Sequence, residues 1–264
     1  MKIKFLTLNI YNGHFIDDCI AFLKKENADV FVLQEVYRGG SGETNRDYQA
    51  LDILKNSFPD YHSYYSAEFF KIINGSKVEA GNAIFSKFAI SKTSSVFVAG
   101  NYQERKIDNA QEFMNSGRNL QFASIKLSNT ELNIFNIHGV WGFDGQDNPA
   151  RLRMSEIVVK EIKDKQNTIL AGDFNLLANT ITIKNIEKYL TNVFSNRLPT
   201  TFNLKMKREG IKKGFNNWKS NDLKGYAVSA VDMIFVSPNL KILESYQPKV
   251  DVSDHYPLII EVEV

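Results

Sequence analysis

Thr168-Ile-Leu-Ala-Gly-Asp173-Phe-Asn175 is the stretch on which the reading of the fold turns. A short apolar run stops at an acid, and a second oxygen-bearing side chain follows two residues later. Runs of this length and make-up read as strands. In extended chain, residues two apart point the same way, so Asp173 and Asn175 share a direction. The pattern recurs along the chain. Lys2 to Leu8 ends at Asn9, Val30-Phe-Val-Leu-Gln34 ends at Glu35, and Leu132 to Ile137 ends at His138. Ala230-Val231 leads into Asp232, with Met-Ile-Phe-Val236 after it, and Asn119 to Leu127 alternates apolar with polar residues.

Helical spacing lies between these runs. Ile16, Cys19, Ile20 and Leu23 fall on one helix face, as do Met154, Ile157, Val158 and Ile162, with Pro149 placed for a first turn. Strands mixed with helices throughout predict an α/β domain of about ten strands in two packed sheets, helices outside. No repeat and no Pro- or Gly-rich linker divides the chain, so residues 1–264 are expected to form a single domain.

The composition, 43% hydrophobic and 23% charged over 264 residues, excludes a disordered or collagen-like chain. Cys19 stands alone, which excludes an intrachain disulfide and a thiolate metal cage. No apolar run approaches the roughly 18 residues of a membrane helix, and the opening MKIKFLTLNI is too short for a signal peptide. The expectation is a cytoplasmic protein without a transmembrane segment. The net charge is only +2, yet Lys205 to Lys224 holds seven basic residues against Glu209 and Asp222. Such a segment suits a polyanionic partner, or is simply a solvated surface loop.

Rigid strand ends presenting Asn, Glu, His and two Asp suggest a shared crevice. The donors are all oxygen and nitrogen, and hard oxygen donors select magnesium, calcium or manganese over zinc. Asp254-His255 adds a carboxylate beside an imidazole; of the four histidines, His138 and His255 sit at such junctions. Each piece also has a plainer reading: a rim residue at Glu35, an Asx turn at Asp173, a turn into the last strand at Asp254.

Seven pieces in order make the sequence similar to the endonuclease/exonuclease/phosphatase superfamily. They are Leu-Asn-Ile-Tyr-Asn-Gly at 8–13, Leu-Gln-Glu-Val at 33–36, Gly-Asn-Ala-Ile-Phe-Ser-Lys-Phe at 81–88, Asn-Ile-His at 136–138, Gly-Asp-Phe-Asn at 172–175, Val-Asp-Met-Ile-Phe-Val-Ser at 231–237 and Ser-Asp-His-Tyr-Pro-Leu at 253–258. The resemblance implies a four-layered α/β sandwich, two mixed β-sheets packed face to face with helices outside. It implies a metal-dependent phosphoester hydrolase using Mg2+, with Mn2+ or Ca2+ as alternatives. Asn9 and Glu35 would hold the ion, and Asp254 would serve a second ion or the water. Asp173 and Asn175 would orient water and scissile phosphate. Asp232 would fix the tautomer of His255, and His138 would face the leaving oxygen.

Arg118 and Arg151 stand at positions where many members carry arginine, as phosphate contacts or as salt-bridge partners. One departure is visible: the glutamate that pairs with the His138 position in DNase I-like members is missing beside Arg118, which leaves Glu112 or Asp144 as candidates. Specificity resides in loops. Ser57 to Val78 is rich in Tyr and Phe, and Pro199 to Tyr226 interleaves its basic run with Phe202, Phe215 and Trp218. These features suit unpaired nucleic acid, and an anionic membrane surface nearly as well; the lack of an export signal and of a disulfide makes a nuclease or DNA-repair phosphodiesterase acting on nucleic acid the expectation. A phospholipid or small-molecule phosphodiesterase and a catalytically silent phosphate-binding module are the alternatives.

Overall fold

A computed structural model describes residues 1–40, 45–106, 110–128, 130–195, 197–215 and 223–264. The elements are β1 (Lys2–Asn9), α1 (Ile16–Glu26), β2 (Val30–Gly39), α2 (Ala50–Ser57), β3 (His62–Ile73), β4 (Ser76–Ser86), β5 (Ile90–Ala99), α3 (Ala110–Asn115), β6 (Arg118–Lys126), β7 (Glu131–His138), α4 (Pro149–Ile162), β8 (Thr168–Asp173), α5 (Ile181–Glu187), β9 (Thr191–Asn192), α6 (Leu204–Lys212), α7 (Leu223–Tyr226), β10 (Asp232–Val236), β11 (Lys241–Tyr246) and β12 (Leu258–Glu263). The described residues thus form twelve strands where about ten were expected; β9 is a two-residue edge. Two six-stranded mixed sheets result, ordered β11-β12-β1-β2-β4-β3 and β5-β6-β7-β8-β10-β9.

Strand alternation explains the layers. In β1, Ile3 and Phe5 enter the core between the sheets, while Leu6 and Leu8 enter a second core with Ile16, Cys19, Ile20 and Leu23 of α1. In β7, Leu132 and Ile134 face the other sheet, while Phe135 and Ile137 pack with Met154, Val158 and Ile162 of α4. Each sheet therefore has one face on its partner and one on helices, the four-layered sandwich expected. Helix α4 begins at Pro149 and is capped by the Asn148 side chain, which accepts from Arg151 N.

Toward one end, the face between the sheets turns polar. Gln34 Nε2 donates to Asn136 Oδ1 at 2.7 Å, Asn136 Nδ2 to Gln121 Oε1 at 3.1 Å, and Asn82 Nδ2 to Asn119 Oδ1 at 3.0 Å. These buried amides bond one another across both sheets, although Gln34 Oε1 and Asn82 Oδ1 accept no hydrogen bond from the described residues. They form a floor on which the candidate site stands.

Candidate active site

Three site residues share one row of a sheet. His138 ends β7 opposite Asp173, the last residue of the parallel β8, and Asp173 lies opposite Asp232, the first residue of β10. Cross-strand neighbours of this kind lie about 4.5–5.5 Å apart. Asp173 Oδ1 accepts from Asn175 N at 2.8 Å, an Asx turn that aims Oδ2 into the crevice. Asn175 takes φ 54°, a left-handed conformation that asparagine tolerates, and its amide donates to Gly139 O at 3.3 Å.

The opposite sheet supplies Asn9 and Glu35. Asn9 is fully buried at the end of β1, and its Nδ2 lies 3.1 Å from both Glu35 Oε1 and Asp173 Oδ2. Its Oδ1 accepts from Tyr11 N at 3.0 Å, so the amide nitrogen, not the oxygen, faces the two carboxylates. Glu35 does not end its strand, as the sequence pattern suggested. It lies inside β2 at a bulge between Leu33 and Val36, with φ 58°. The bulge breaks the alternation and re-aims the carboxylate.

His255 Nδ1 and Asp232 Oδ2 are 2.8 Å apart, and His255 Nε2 lies 3.9 Å from Asp173 Oδ2. Burial alone would lower the His255 imidazolium, but the charges of Asp232 and Asp254 raise it to about 10. Burial pushes the Asp232 carboxyl up, and the His255 charge only partly offsets this. The pair therefore holds a proton between its two partners, with Nε2 free to face the crevice.

His138 mirrors it. Its Nε2 is 4.0 Å from Asp173 Oδ2 and 3.9 Å from Glu35 Oε1, and its Nδ1 is 3.4 Å from Glu68 Oε2. The carboxylate partner is thus Glu68; Asp144 instead pairs with Arg151 at 3.1 Å. Glu68 also receives Asn82 Nδ2 at 3.1 Å, Asn119 N at 3.2 Å and Arg118 Nη1 at 3.1 Å. Burial would raise its pKa, but the charges of His138 and Arg118 hold it below the ordinary value. Glu68 owes its position to a bulge in β3 between Ala67 and Phe69. Both bulges meet at Gly81, paired with Val36 on one side and Ala67 on the other. A Cβ there would come within 2.1 Å of Ser66 O, so only glycine lets the bulged strand approach.

The two arginines serve the scaffold rather than reaching for substrate. Arg118 is 4% exposed and bound to Glu68. Arg151 is fully buried, donating to Val140 O at 3.0 Å, Asn175 O at 2.8 Å and Asp144 Oδ1 at 3.1 Å. It braces the loop after His138 against the loop after Asp173.

Asp254 is buried and ion-paired with Lys207 at 2.7 Å. Burial would raise the Asp254 carboxyl, but Lys207 and then His255 hold it below its ordinary value; burial would lower Lys207, but Asp254 and then Tyr226 raise it. The basic segment is thereby matched in part: Lys205 pairs with Asp251, and Lys212 and Lys213 share Glu209 at 4.0 and 3.8 Å. Trp218, Lys219 and Asp222 lie outside the described residues. The aromatic segment Ser57 to Val78 is mostly β3, whose Tyr65 and Phe69 pack into cores, as does Tyr61 just before it.

Sequence reasoning missed Glu68 and Lys207. Glu68 had one signal, a lone acid in the run Ser-Ala-Glu-Phe-Phe at 66–70. It also missed the rim made by Trp141 and the 71% exposed Phe143, their ring centroids 4.7 Å apart. This loop starts next to His138 and is tied to the Asp173 loop through Gly139 N to Asp173 O at 2.7 Å and Leu177 N to Gly145 O at 2.9 Å.

The donor chemistry accommodates a hard cation. Two carboxylate oxygens, from Glu35 and Asp173, already converge on the Asn9 amide donor. Asp173 also belongs to a second grouping among the described residues, with Asp232 and His255, whose ligand atoms lie within 4.8 Å of one another. In that grouping Asp232 and His255 are already engaged with each other.

Comparison with known proteins agrees with this architecture. Residues 6–255 match the model of the Endonuclease/Exonuclease/phosphatase family, and the chain belongs to that family. No curated protein matches the sequence. Among solved structures, an endonuclease/exonuclease/phosphatase from Beutenbergia cavernae shares 15% identity at a TM-score of 0.72, covering 100% of this chain and 72% of that one. The Bacteroides thetaiotaomicron mannosyl-6-phosphatase shares 17% identity at 0.65, covering 99% and 100%. D. rerio TDP2 complexed with a single-strand DNA product shares 16% identity at 0.68, covering 100% and 99%. Membership makes the chain a phosphoesterase by class, and these neighbours establish a shared fold. No helix among the described residues is long and apolar enough to cross a membrane.

Proposed function

We propose that this chain is a divalent-cation-dependent phosphodiesterase of the cytoplasm whose substrate is nucleic acid bearing an unpaired nucleotide. One observation carries the reading: Asn9 Nδ2, His138 Nε2 and His255 Nε2 all lie within 4.0 Å of Asp173 Oδ2, approaching from different elements. A carboxylate surrounded by two imidazoles and an amide, beside Glu35, is the equipment for in-line attack of water on an anionic ester.

Glu35 would hold Mg2+, which supplies Lewis-acid neutralisation of a phosphoryl oxygen when bound, and leaves Asp173 Oδ2 to the water. The remaining work falls to side chains. Asp173 Oδ2 takes the proton of the attacking water. His255, fixed through Nδ1 by Asp232, donates from Nε2 to a phosphoryl oxygen as negative charge grows there. His138 Nε2 faces the departing oxygen, with Glu68 behind its Nδ1. Each proton-transferring group of this kind contributes roughly two to four orders of magnitude.

The substrate class rests on the Trp141–Phe143 rim beside His138. An exposed Phe143 backed by a half-buried Trp141 next to a phosphodiester site suits an unpaired base, whose stacking is worth about 1–3 kcal/mol. The test is a substrate panel of single-stranded DNA, abasic duplex, nicked plasmid, sphingomyelin and a hexose phosphate, each with Mg2+ and with EDTA. Cleavage of single-stranded or abasic DNA that EDTA abolishes is expected. Preferred hydrolysis of sphingomyelin or the hexose phosphate would overturn the substrate, and turnover undiminished by EDTA would overturn the cation.

A further inference from the structure

Three of the four basic residues of α6, Lys205, Arg208 and Lys212, are exposed, and the fourth, Lys207, is turned inward with its side chain only 12% exposed. Two contacts set that orientation. Asn203 N donates to Asp254 O at 2.8 Å and Tyr256 N to Thr201 O at 2.7 Å, so the lead-in to α6 is laced to the turn carrying Asp254 and His255. Further along, Gly210 lies against the Tyr11 ring, and a Cβ there would come within 2.3 Å of the Tyr11 hydroxyl. The helix thus closes on both Asn9's neighbour and the Asp254 turn.

The Lys207 ammonium is boxed. Its Nζ is 2.7 Å from Asp254 Oδ2 and lies over the rings of Tyr226, Phe202 and Tyr11, at 4.6, 4.7 and 6.0 Å from their centroids. Ring faces stabilise a desolvated cation. Ser253 Oγ lies 3.4 Å from the other Asp254 oxygen. A buried carboxylate needs a positive partner, and here the chain provides one of its own.

We propose that Lys207 is a resident counter-cation that occupies Asp254 and limits the site to one divalent ion. This rests on the reading of the site as a cation-dependent phosphodiesterase centre. A second divalent ion at Asp254 would have to displace an ammonium enclosed by that carboxylate and three rings, or sit beside its charge at close range. Lys207 is a positioning residue: it keeps Asp254 as a fixed negative group beside His255 and unavailable as a metal ligand.

Mn2+ titration of the full chain, followed by electron paramagnetic resonance of the free ion, counts the sites directly. One site is expected for the unaltered chain and for Lys207→Arg. Two are expected for Lys207→Met. Asp254→Asn is expected to bind its single Mn2+ within about twofold of the unaltered chain, and it answers the question even where Lys207→Met does not fold. Two sites in the unaltered chain, one in a folded Lys207→Met, or a tenfold or greater loss of affinity in Asp254→Asn would each overturn the role of Lys207 alone. A chain that binds no Mn2+ would overturn the cation reading along with it.

Discussion

The site contains two imidazole–carboxylate pairs on opposite sides of Asp173, and they are built differently. His255 and Asp232 meet at 2.8 Å in a closed hydrogen bond between a loop and the first residue of β10. His138 and Glu68 stand 3.4 Å apart, and Glu68 divides its oxygens among Asn82, Asn119 and Arg118 as well. One pair holds its histidine in a closed bond, with Thr201 also on the carboxylate; the other ties a histidine into the buried amide floor and an ion pair. The first pair should therefore govern chemistry more than the fold, and the second should govern stability as much as chemistry.

The hub between the pairs should show the largest effect. Asp173→Asn is expected to lower turnover of bis-p-nitrophenyl phosphate by about three orders of magnitude or more, with the circular dichroism spectrum unchanged, since it removes the proton acceptor both imidazoles face. A folded variant retaining a tenth of the activity would break the comparison at its centre.

Asp232→Asn and Glu68→Gln then test the asymmetry. Asp232→Asn should cost roughly 10²–10⁴ in kcat and lower the urea midpoint at neutral pH less than Glu68→Gln does. Glu68→Gln should destabilise by about 3–5 kcal/mol, because it strands the buried Arg118 without its charge partner. If the two variants lose stability equally, the distinction fails.

The pairs should also fail at opposite ends of the pH scale. His255 is raised to about 10, so its stabilising contribution is complete below the ordinary value of 6.5 and is lost as pH climbs through 10. Glu68 is held below its ordinary 4.5, so its contribution is present above that value and is lost as pH falls beneath it. Urea denaturation from pH 3 to 11 should show both losses, with Asp232→Asn flattening the alkaline limb and Glu68→Gln the acid limb.

The smallest effect is expected at the rim. Phe143→Ala should raise KM for single-stranded DNA several-fold while leaving bis-p-nitrophenyl phosphate turnover and stability alone. Equal losses on both substrates would remove the rim from substrate recognition.

Much of the frame was legible because strand alternation is local. Ile3 and Phe5 facing one way imply that Asn9 continues on the same face, and the same parity carries His138 from Leu132 and Asp173 from Ile169. Ordered motifs then joined these strand tips into one site. The amphipathic spacing of α1 and α4 was legible for the same reason, since one face must be buried.

What stayed hidden were residues whose direction local pattern does not set. Glu35 and Glu68 sit in β-bulges, where one extra residue overturns the alternation, and Gly81 permits both bulges only because three strands pack together there. Arg118 and Arg151 carried the right chemistry for phosphate, but burial bound their guanidinium groups to Glu68 and to loop carbonyls. Lys207 was one charge in a basic run until the helix folded over Asp254. Sequence alone determined which side chains reach the end of the sandwich, because strand period is a property of a few adjacent residues. Tertiary structure decided which charges neutralise which, because ion pairing across 47 to 50 residues depends on desolvation that only the assembled sheets and helices create.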